Sequence, residues 1–271
     1  MSAARAYRIS AASGIHKGDR EYQQDQVLLL PHPRVKGCLL AVVADGMGGR
    51  SGGRKASDQV ILTGRQLFER YVPGQDDAKT TLEQMAREAH AVIRLTGIAA
   101  EEEPHSTFAA MIIDPDGRCT WAHSGDSRLY HFHGQMLIKR SLDHSYVQTL
   151  VDQGQITPEQ AHIHPKANIL VGCLGIETDP PIAYHVIHAL RPGDTLMVCS
   201  DGIWHYFTEA ELGSVLAALS PREASEFLID KARVRARGSA DNLSLAVVKI
   251  DPPRDHGAAQ PLTVPPVTGL R

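Results

Sequence analysis

The run Cys38-Leu-Leu-Ala-Val-Val-Ala44, followed by Asp45-Gly-Met-Gly-Gly49, constrains this chain more than any other stretch. Seven small or apolar residues bounded by turn formers read as a buried strand. A carboxylate stands where the strand leaves the core. Gly46 permits a sharp turn there, which brings its carbonyl close to whatever Asp45 binds. One Asp-Gly of this kind is an ordinary turn, but the pattern recurs. Thr195-Leu-Met-Val-Cys-Ser200 runs into Asp201-Gly202, and the mirror image appears at Asp241-Asn242 before Leu243–Val248 and at Asp25 before Val27–Leu30. If those four strand ends converge, their carboxylates form a cage of hard oxygens suited to Mg²⁺ or Mn²⁺. Gly125-Asp126-Ser127-Arg128, an ordinary turn on its own, adds a fifth carboxylate between two strands. Arg20, five residues before Asp25, offers a planar fork that can grip two phosphate oxygens. Taken alone it reads equally as a solvated loop arginine.

The rest of the chain supplies a scaffold for such an edge. Residues 7–13, 26–30 and 38–44 read as strands, and 54–71 and 78–99 carry helical spacing of apolar residues. Thr107–Asp114 and Arg118–Ser124 face each other across Asp-Pro-Asp-Gly, a hairpin turn, and 128–132 and 136–139 form a second hairpin. Residues 143–172 read as short helical pieces broken at Gly154 and Pro165. Strands at 182–189 and 194–200 are joined by Arg-Pro-Gly, and helices at about 208–218 and 222–235 precede a last strand, 243–250. Antiparallel strand runs with helices in pairs argue an α+β fold of helices layered on sheets. Residues 1–250 are expected to form one domain, and the Pro-rich stretch 251–271 a disordered tail.

Composition excludes several classes. A formal net charge of -3 and 5% aromatics leave no basic stripe or stacking platform for nucleic acid. Cys38, Cys119, Cys173 and Cys199 are far apart and form no CxxC pair, so they read as buried thiols of a reducing compartment. No apolar run approaches the ~20 residues of a membrane span, and the N-terminus has no signal-peptide core. A cytoplasmic, monomeric protein is expected.

Other chemistries fit less well. Gly48 and Gly53 have phosphate-loop spacing, but Arg54 stands where lysine belongs and Lys55 where the magnesium-binding hydroxyl belongs. His131 with His133, and His162 with His164, lack HExxH or paired-cysteine spacing, which speaks against zinc. Ser124 lacks the elbow context of a nucleophile.

The ordered set of motifs resembles the metal-dependent type 2C protein serine/threonine phosphatases in their compact bacterial form. It comprises Gly18-Asp-Arg20-Glu-Tyr-Gln-Gln-Asp25, Asp45-Gly-Met-Gly-Gly49, Ser106-Thr107, Gly125-Asp-Ser-Arg128, Asp143-His-Ser145, His164-Pro-x-x-Asn168, Leu174-Gly175, Cys199-Ser-Asp-Gly202 and Asp241-Asn242. It covers roughly residues 7–250.

The resemblance implies a four-layer αββα sandwich, with two central antiparallel sheets flanked by helix pairs and a two-metal site of Mn²⁺ or Mg²⁺ at one end. It implies that Asp45 bridges both ions, that Asp201 and Asp241 complete the first, and that the Gly46 carbonyl ligates the second. Asp25 would hold metal-bound water, Asp126 would serve a third, weaker ion, and Arg20 would bind the substrate phosphate. The implied reaction is hydrolysis of phosphoserine or phosphothreonine by a metal-bridging water, on phosphorylated proteins and in opposition to a cellular serine/threonine kinase. Residues of about 145–180 would form a flap beside the site. Departures occur at Gln23, Met47, Arg54, His105 and Val171-Gly-Cys173. Met47 replaces the histidine proposed as general acid in animal members. The competing functions are a catalytically silent phosphoprotein-binding module on the same scaffold and a phosphate-loop NTPase.

Overall fold

The computed structural model describes residues 7–100 and 103–253. The chain begins with β1 (Arg8–His16), β2 (Gln26–Pro31), β3 (Leu39–Ala44) and the two-residue β4 (Gly46–Met47). Two long helices follow, α1 (Gly49–Arg70) and α2 (Ala78–Ala100), then β5 (His105–Ser106), β6 (Phe108–Ile113), β7 (Cys119–Ser124), β8 (Arg128–His133) and β9 (Met136–Arg140). The short helices α3 (Tyr146–Asp152) and α4 (Pro158–His162) lead to β10 (Ala183–Ile187) and β11 (Asp194–Cys199). The chain then forms α5 (Asp201–Trp204), α6 (Glu209–Ala218), α7 (Pro221–Ala236) and β12 (Leu243–Asp251).

The strands make two five-stranded antiparallel sheets, in the orders β1-β12-β11-β8-β9 and β10-β7-β6-β3-β2. Strand alternation explains the layering. In β3, Leu40, Val42 and Ala44 pack with Phe68 of α1 and with Leu82 and Met85 of α2. The intervening Leu39, Ala41 and Val43 meet Leu196, Val198 and Val248 of the other sheet. Both faces of β3 are buried, which is why its sequence is a continuous apolar run. A third apolar layer joins Phe132, Met197 and Val247 to Leu212 of α6 and Leu228 of α7. The expected α+β sandwich of two antiparallel sheets between helix pairs is therefore the observed architecture.

Several local expectations change. Helix α1 starts at Gly49 rather than 54, so Gly49–Lys55 is helical and forms no phosphate loop. The Arg-Pro-Gly link joins β10 and β11 across two different sheets. β1 continues to His16, three residues beyond its expected end, because it pairs with β12 along its whole length. His131 and His133 do share a face, and both meet buried Asp194, at 3.3 and 2.8 Å. Asp194 lies at the end of β11 away from Asp201. Of the expected tail, all but 251–253 falls outside the described residues.

Candidate functional site

Strand register brings the motif carboxylates to one edge. In one sheet Gln26 pairs with Ala44, so Asp25 neighbours Asp45, and Ser124 pairs with Phe108 beside the same end of β3. In the other sheet Cys199 pairs with both Arg128 and Leu245, which puts Asp201, Asp126 and Asp241 just beyond three adjacent strand ends. Asp25 joins the two sheets at this edge. Its Oδ2 accepts from Ser200 Oγ at 2.6 Å and from Ser244 Oγ at 2.8 Å. Its Oδ1 is buried and has no hydrogen-bond partner.

Backbone contacts hold the other members. Thr107 clamps Asp45: its Oγ1 accepts from the Asp45 N–H at 2.9 Å, while its own N–H donates to the Asp45 carbonyl at 2.8 Å. Thr107 Oγ1 also lies 2.7 Å from Ser127 Oγ, which ties the Asp126 turn to the end of β3. Gly125 opens that turn at φ +111°, where a Cβ would also stand 2.7 Å from Thr107 Cγ2. Trp204 Nε1 donates to the Asp126 carbonyl at 2.9 Å. Asp241 Oδ1 accepts from the Asn242 N–H, and its Oδ2 accepts from Arg20 Nη2 at 2.5 Å. The Asn242 side chain holds the loop that carries Arg20, donating to the Lys17 and Tyr22 carbonyls and accepting from the Gln24 N–H. At Gly46 a Cβ would lie 2.0 Å from the Gly53 carbonyl oxygen, so the approach of β4 to α1 admits only glycine.

The electrostatics report how close these groups are. Burial, and then the charges of Asp25, Asp201, Asp126 and Asp241 in that order, pushes Asp45 well above the ordinary carboxylate range. Asp201 is raised by burial and then by Asp126, Asp241 and Asp25. Burial first, with Asp143 next among the charges, raises Asp126 to about 7. Burial raises Asp25 to about 6, against the lowering effect of Ser200 and Ser244. Like charges held this close favour a bound cation or a proton.

Among the described residues no three histidine, cysteine, aspartate or glutamate side chains already stand in a finished metal-holding arrangement. Asp241 is turned to Arg20 and Asp25 to its two serines. The donor set nevertheless suits a hard divalent cation. It consists of oxygens alone, it repels itself, and it includes the unpartnered buried Oδ1 of Asp25. A cysteine nucleophile does not fit: burial, then Asp126, pushes the Cys173 thiol up to about 11.

The structure thus gathers Asp25, Asp45, Asp126, Asp201 and Asp241, with Gly46 at the same turn as Asp45 and Arg20 at the rim. Sequence reasoning assigned no role to Ser200, Ser244, Thr107, Asn242 or Trp204. The signal for three of them was their place in the motifs Ser106-Thr107, Cys199-Ser-Asp-Gly202 and Asp241-Asn242. Ser244 and Trp204 carried none.

The profile of the protein phosphatase 2C family matches residues 13–233. The serine/threonine protein phosphatase PstP of Mycobacterium tuberculosis is 32% identical over 238 residues, covering 86% of this chain. This chain spans 44% of that relative's length. A crystal structure of the same mycobacterial phosphatase superposes with a TM-score of 0.77 at 29% identity, covering 90% of this chain and 99% of that one. A structure of the PstP catalytic domain in complex with two manganese ions superposes with a TM-score of 0.75 at 28% identity, covering 90% of this chain and 98% of that one.

Proposed function

This chain belongs to the protein phosphatase 2C family, and from that premise we propose that it is a metal-dependent protein phosphatase acting on phosphoserine and phosphothreonine. One observation carries the reading. Asp45 ends the buried strand β3 among four other carboxylates drawn from both sheets, and the charges of all four push it up. Asp45, Asp201 and Asp241 would hold one divalent cation, Asp45 and the Gly46 carbonyl a second, and Asp126 a third, weaker one. Mn²⁺ and Mg²⁺ both suit an all-oxygen set. When bound, such cations neutralise phosphate oxygens and make a nearby water acidic enough to attack at neutral pH.

The chain's own residues do the remaining work. Arg20 is exposed at the rim, and its fork meets Asp241 through one nitrogen; a phosphate dianion competes for the same guanidinium. Asp25 Oδ1, buried without a hydrogen-bond partner, would accept a hydrogen bond from a water and hold it beside the substrate phosphate. Ser200 and Ser244 keep the opposite oxygen of Asp25 fixed while this happens. Met47 has no proton to donate, so the leaving serine or threonine oxygen is protonated by water or by another group.

The test is hydrolysis of p-nitrophenyl phosphate and of a phosphothreonine peptide. Activity should vanish with EDTA and return with Mn²⁺ or Mg²⁺. Full activity after exhaustive chelation overturns the reading. A catalytically silent binding module is disfavoured because all five carboxylates are present. The phosphate-loop reading fails because its loop is helical. We assign residues 1–250 to one catalytic domain, with 145–180 as a flap beside the carboxylates, and expect a cytoplasmic monomer that opposes a serine/threonine kinase. No helix among the described residues is long and apolar enough to cross a membrane.

A further inference from the structure

A cavity of about 350 Å³ opens beside Asp126, between the helices α3 and α4 on one side and Trp204 with the chain after α5 on the other. Asp126 belongs to the carboxylate cluster, since it raises both Asp45 and Asp201. A chain whose phosphoresidue sits at the carboxylates therefore passes the mouth of this cavity within a few residues, at ~3.3 Å per extended residue.

Apart from Asp126, which is assigned above to a cation, the charged groups of the walls are paired. Arg128 is engaged twice by Asp143, at 2.8 and 2.7 Å, and its guanidinium lies 3.4 Å over the Trp204 ring. Arg140 is paired with Glu209 at 3.0 Å. His162 of α4 meets His205 across the gap, with ring centroids 4.9 Å apart. Burial, then His162 and Arg128, holds the His205 imidazole below its ordinary range. The remaining lining is mostly apolar, from Val147 and Val151 of α3 and from Pro158 and Ala161 of α4. A glutamate side chain placed here would lose its hydration among carboxylates, and a lysine would lose its hydration to meet carboxylates already paired or assigned to a cation. An apolar one would lose only contact with water.

Leu142, which lines the cavity, is about half exposed, and so are Ile169 and Val171, which follow the lining residues Ala167 and Asn168 in the chain, with Ile163, next to the lining residue His162, more exposed still. Exposed large apolar side chains on the segment that lines a cavity mark a surface that something covers. Continuity with Asp126 identifies the occupant as the substrate chain.

We propose that this cavity is a side-chain subsite, and that it selects phosphoprotein substrates carrying an uncharged apolar residue close to the phosphoserine or phosphothreonine. The inference rests on the phosphatase reading above and goes further by naming the sequence context. Val151 and Ala161 are its specificity-determining residues.

The experiment measures kcat/KM on phosphothreonine peptides with Leu, Phe, Glu or Lys at each of three positions on either side, with p-nitrophenyl phosphate as a substrate too small to reach the cavity. The wild-type protein should favour Leu or Phe over Glu and Lys by about tenfold or more at one position, as a filled apolar pocket does. Val151→Asp should lower kcat/KM for the Leu peptide and raise it for the Lys peptide. Ala161→Trp, which fills the space, should erase the preference. Both variants should hydrolyse p-nitrophenyl phosphate as the wild type does, which also shows that they fold. No preference at any position, or a preference that survives both substitutions, overturns the subsite. If the wild type with Mn²⁺ hydrolyses neither p-nitrophenyl phosphate nor any peptide, the phosphatase reading itself falls and takes the subsite with it.

Discussion

Asp45 and Asp126 are both aspartates in glycine-flanked turns, yet their surroundings give them different weight. Asp45 feels four other carboxylates and is clamped through its backbone by Thr107. Asp126 sits in a turn held from outside by Trp204 and lines the neighbouring cavity. Asp45→Asn keeps the shape and removes the charge from the centre of the set. Metal activation contributes several kcal/mol and each ~1.4 kcal/mol is tenfold in rate. A fall of several orders of magnitude in kcat is therefore expected at saturating Mn²⁺. Asp126→Ala should bind the tight ions nearly as the wild type does while turning over phosphopeptides more slowly. Calorimetric Mn²⁺ titration of both variants beside peptide kinetics decides this, and the reverse pattern would sink the assignment. Arg20→Ala should mainly raise KM, because a charge-assisted fork to phosphate acts in ground and transition states alike; unchanged kinetics would remove Arg20 from the site. The carboxylates were legible because each sits at a strand end beside a turn former. Ser244 was not, because a small polar residue in an apolar strand has no pattern of its own; only the stacking of the sheets puts it on Asp25.

At the scale of elements, what could be read was whatever buries a periodic face. β3 declared itself because both of its faces are covered, and α2 because one stripe of it is. The start of α1 was hidden. Gly49, Gly52 and Gly53 supply neither side-chain periodicity nor helix propensity, and the purpose of Gly53 appears only in its close approach to Gly46. β4, β5 and α5 span two, two and four residues, too few for any period to show. This difference among glycines is open to test. Gly64 lies inside α1, and a Cβ there would meet Val42 Cγ2 at an ordinary 3.6 Å. Gly64→Ala should stabilise the protein by about 0.5–1 kcal/mol, a rise of roughly 2–4 °C in Tm per kcal/mol for a chain near this size. Gly46→Ala should do the opposite, because its Cβ would lie 2.0 Å from the Gly53 carbonyl oxygen and one backbone must move. A thermal melt in which Gly46→Ala matches wild type would show that this approach is slack.

For the whole molecule, the active edge is where the two sheets are least compatible with each other. The sandwich is closed by apolar layers, yet its carboxylate edge gathers like charges, and Asp25 with its two serines and Thr107 with Ser127 tie sheet to sheet there. This has a measurable consequence for stability. Asp25 at about 6 and Asp126 at about 7, with Asp45 and Asp201 also raised, all lie above the ~3.9 of an unfolded aspartate. The folded, cation-free protein therefore binds more protons than the unfolded chain near neutral pH, and its stability falls as pH rises through that range. With EDTA present, Tm should climb as pH is lowered from 8 to 6.5. Below ~6.5 the histidines act in the opposite direction. Burial, then His123, lowers His144 to about 4, and burial also lowers His123, so the unfolded chain takes up those protons first. The histidine contribution is common to both conditions, so the difference between melts in EDTA and in saturating Mn²⁺ isolates the carboxylates. Bound cations favour the ionised carboxylates, and a ligand of the native state alone adds stability by mass action. The Mn²⁺ melts should therefore lie higher and lose the rise between pH 8 and 6.5, and calorimetry at pH 6.5 should record proton release on Mn²⁺ binding. Parallel melting curves with and without Mn²⁺, and no proton release, would mean that the cation binds somewhere other than this edge.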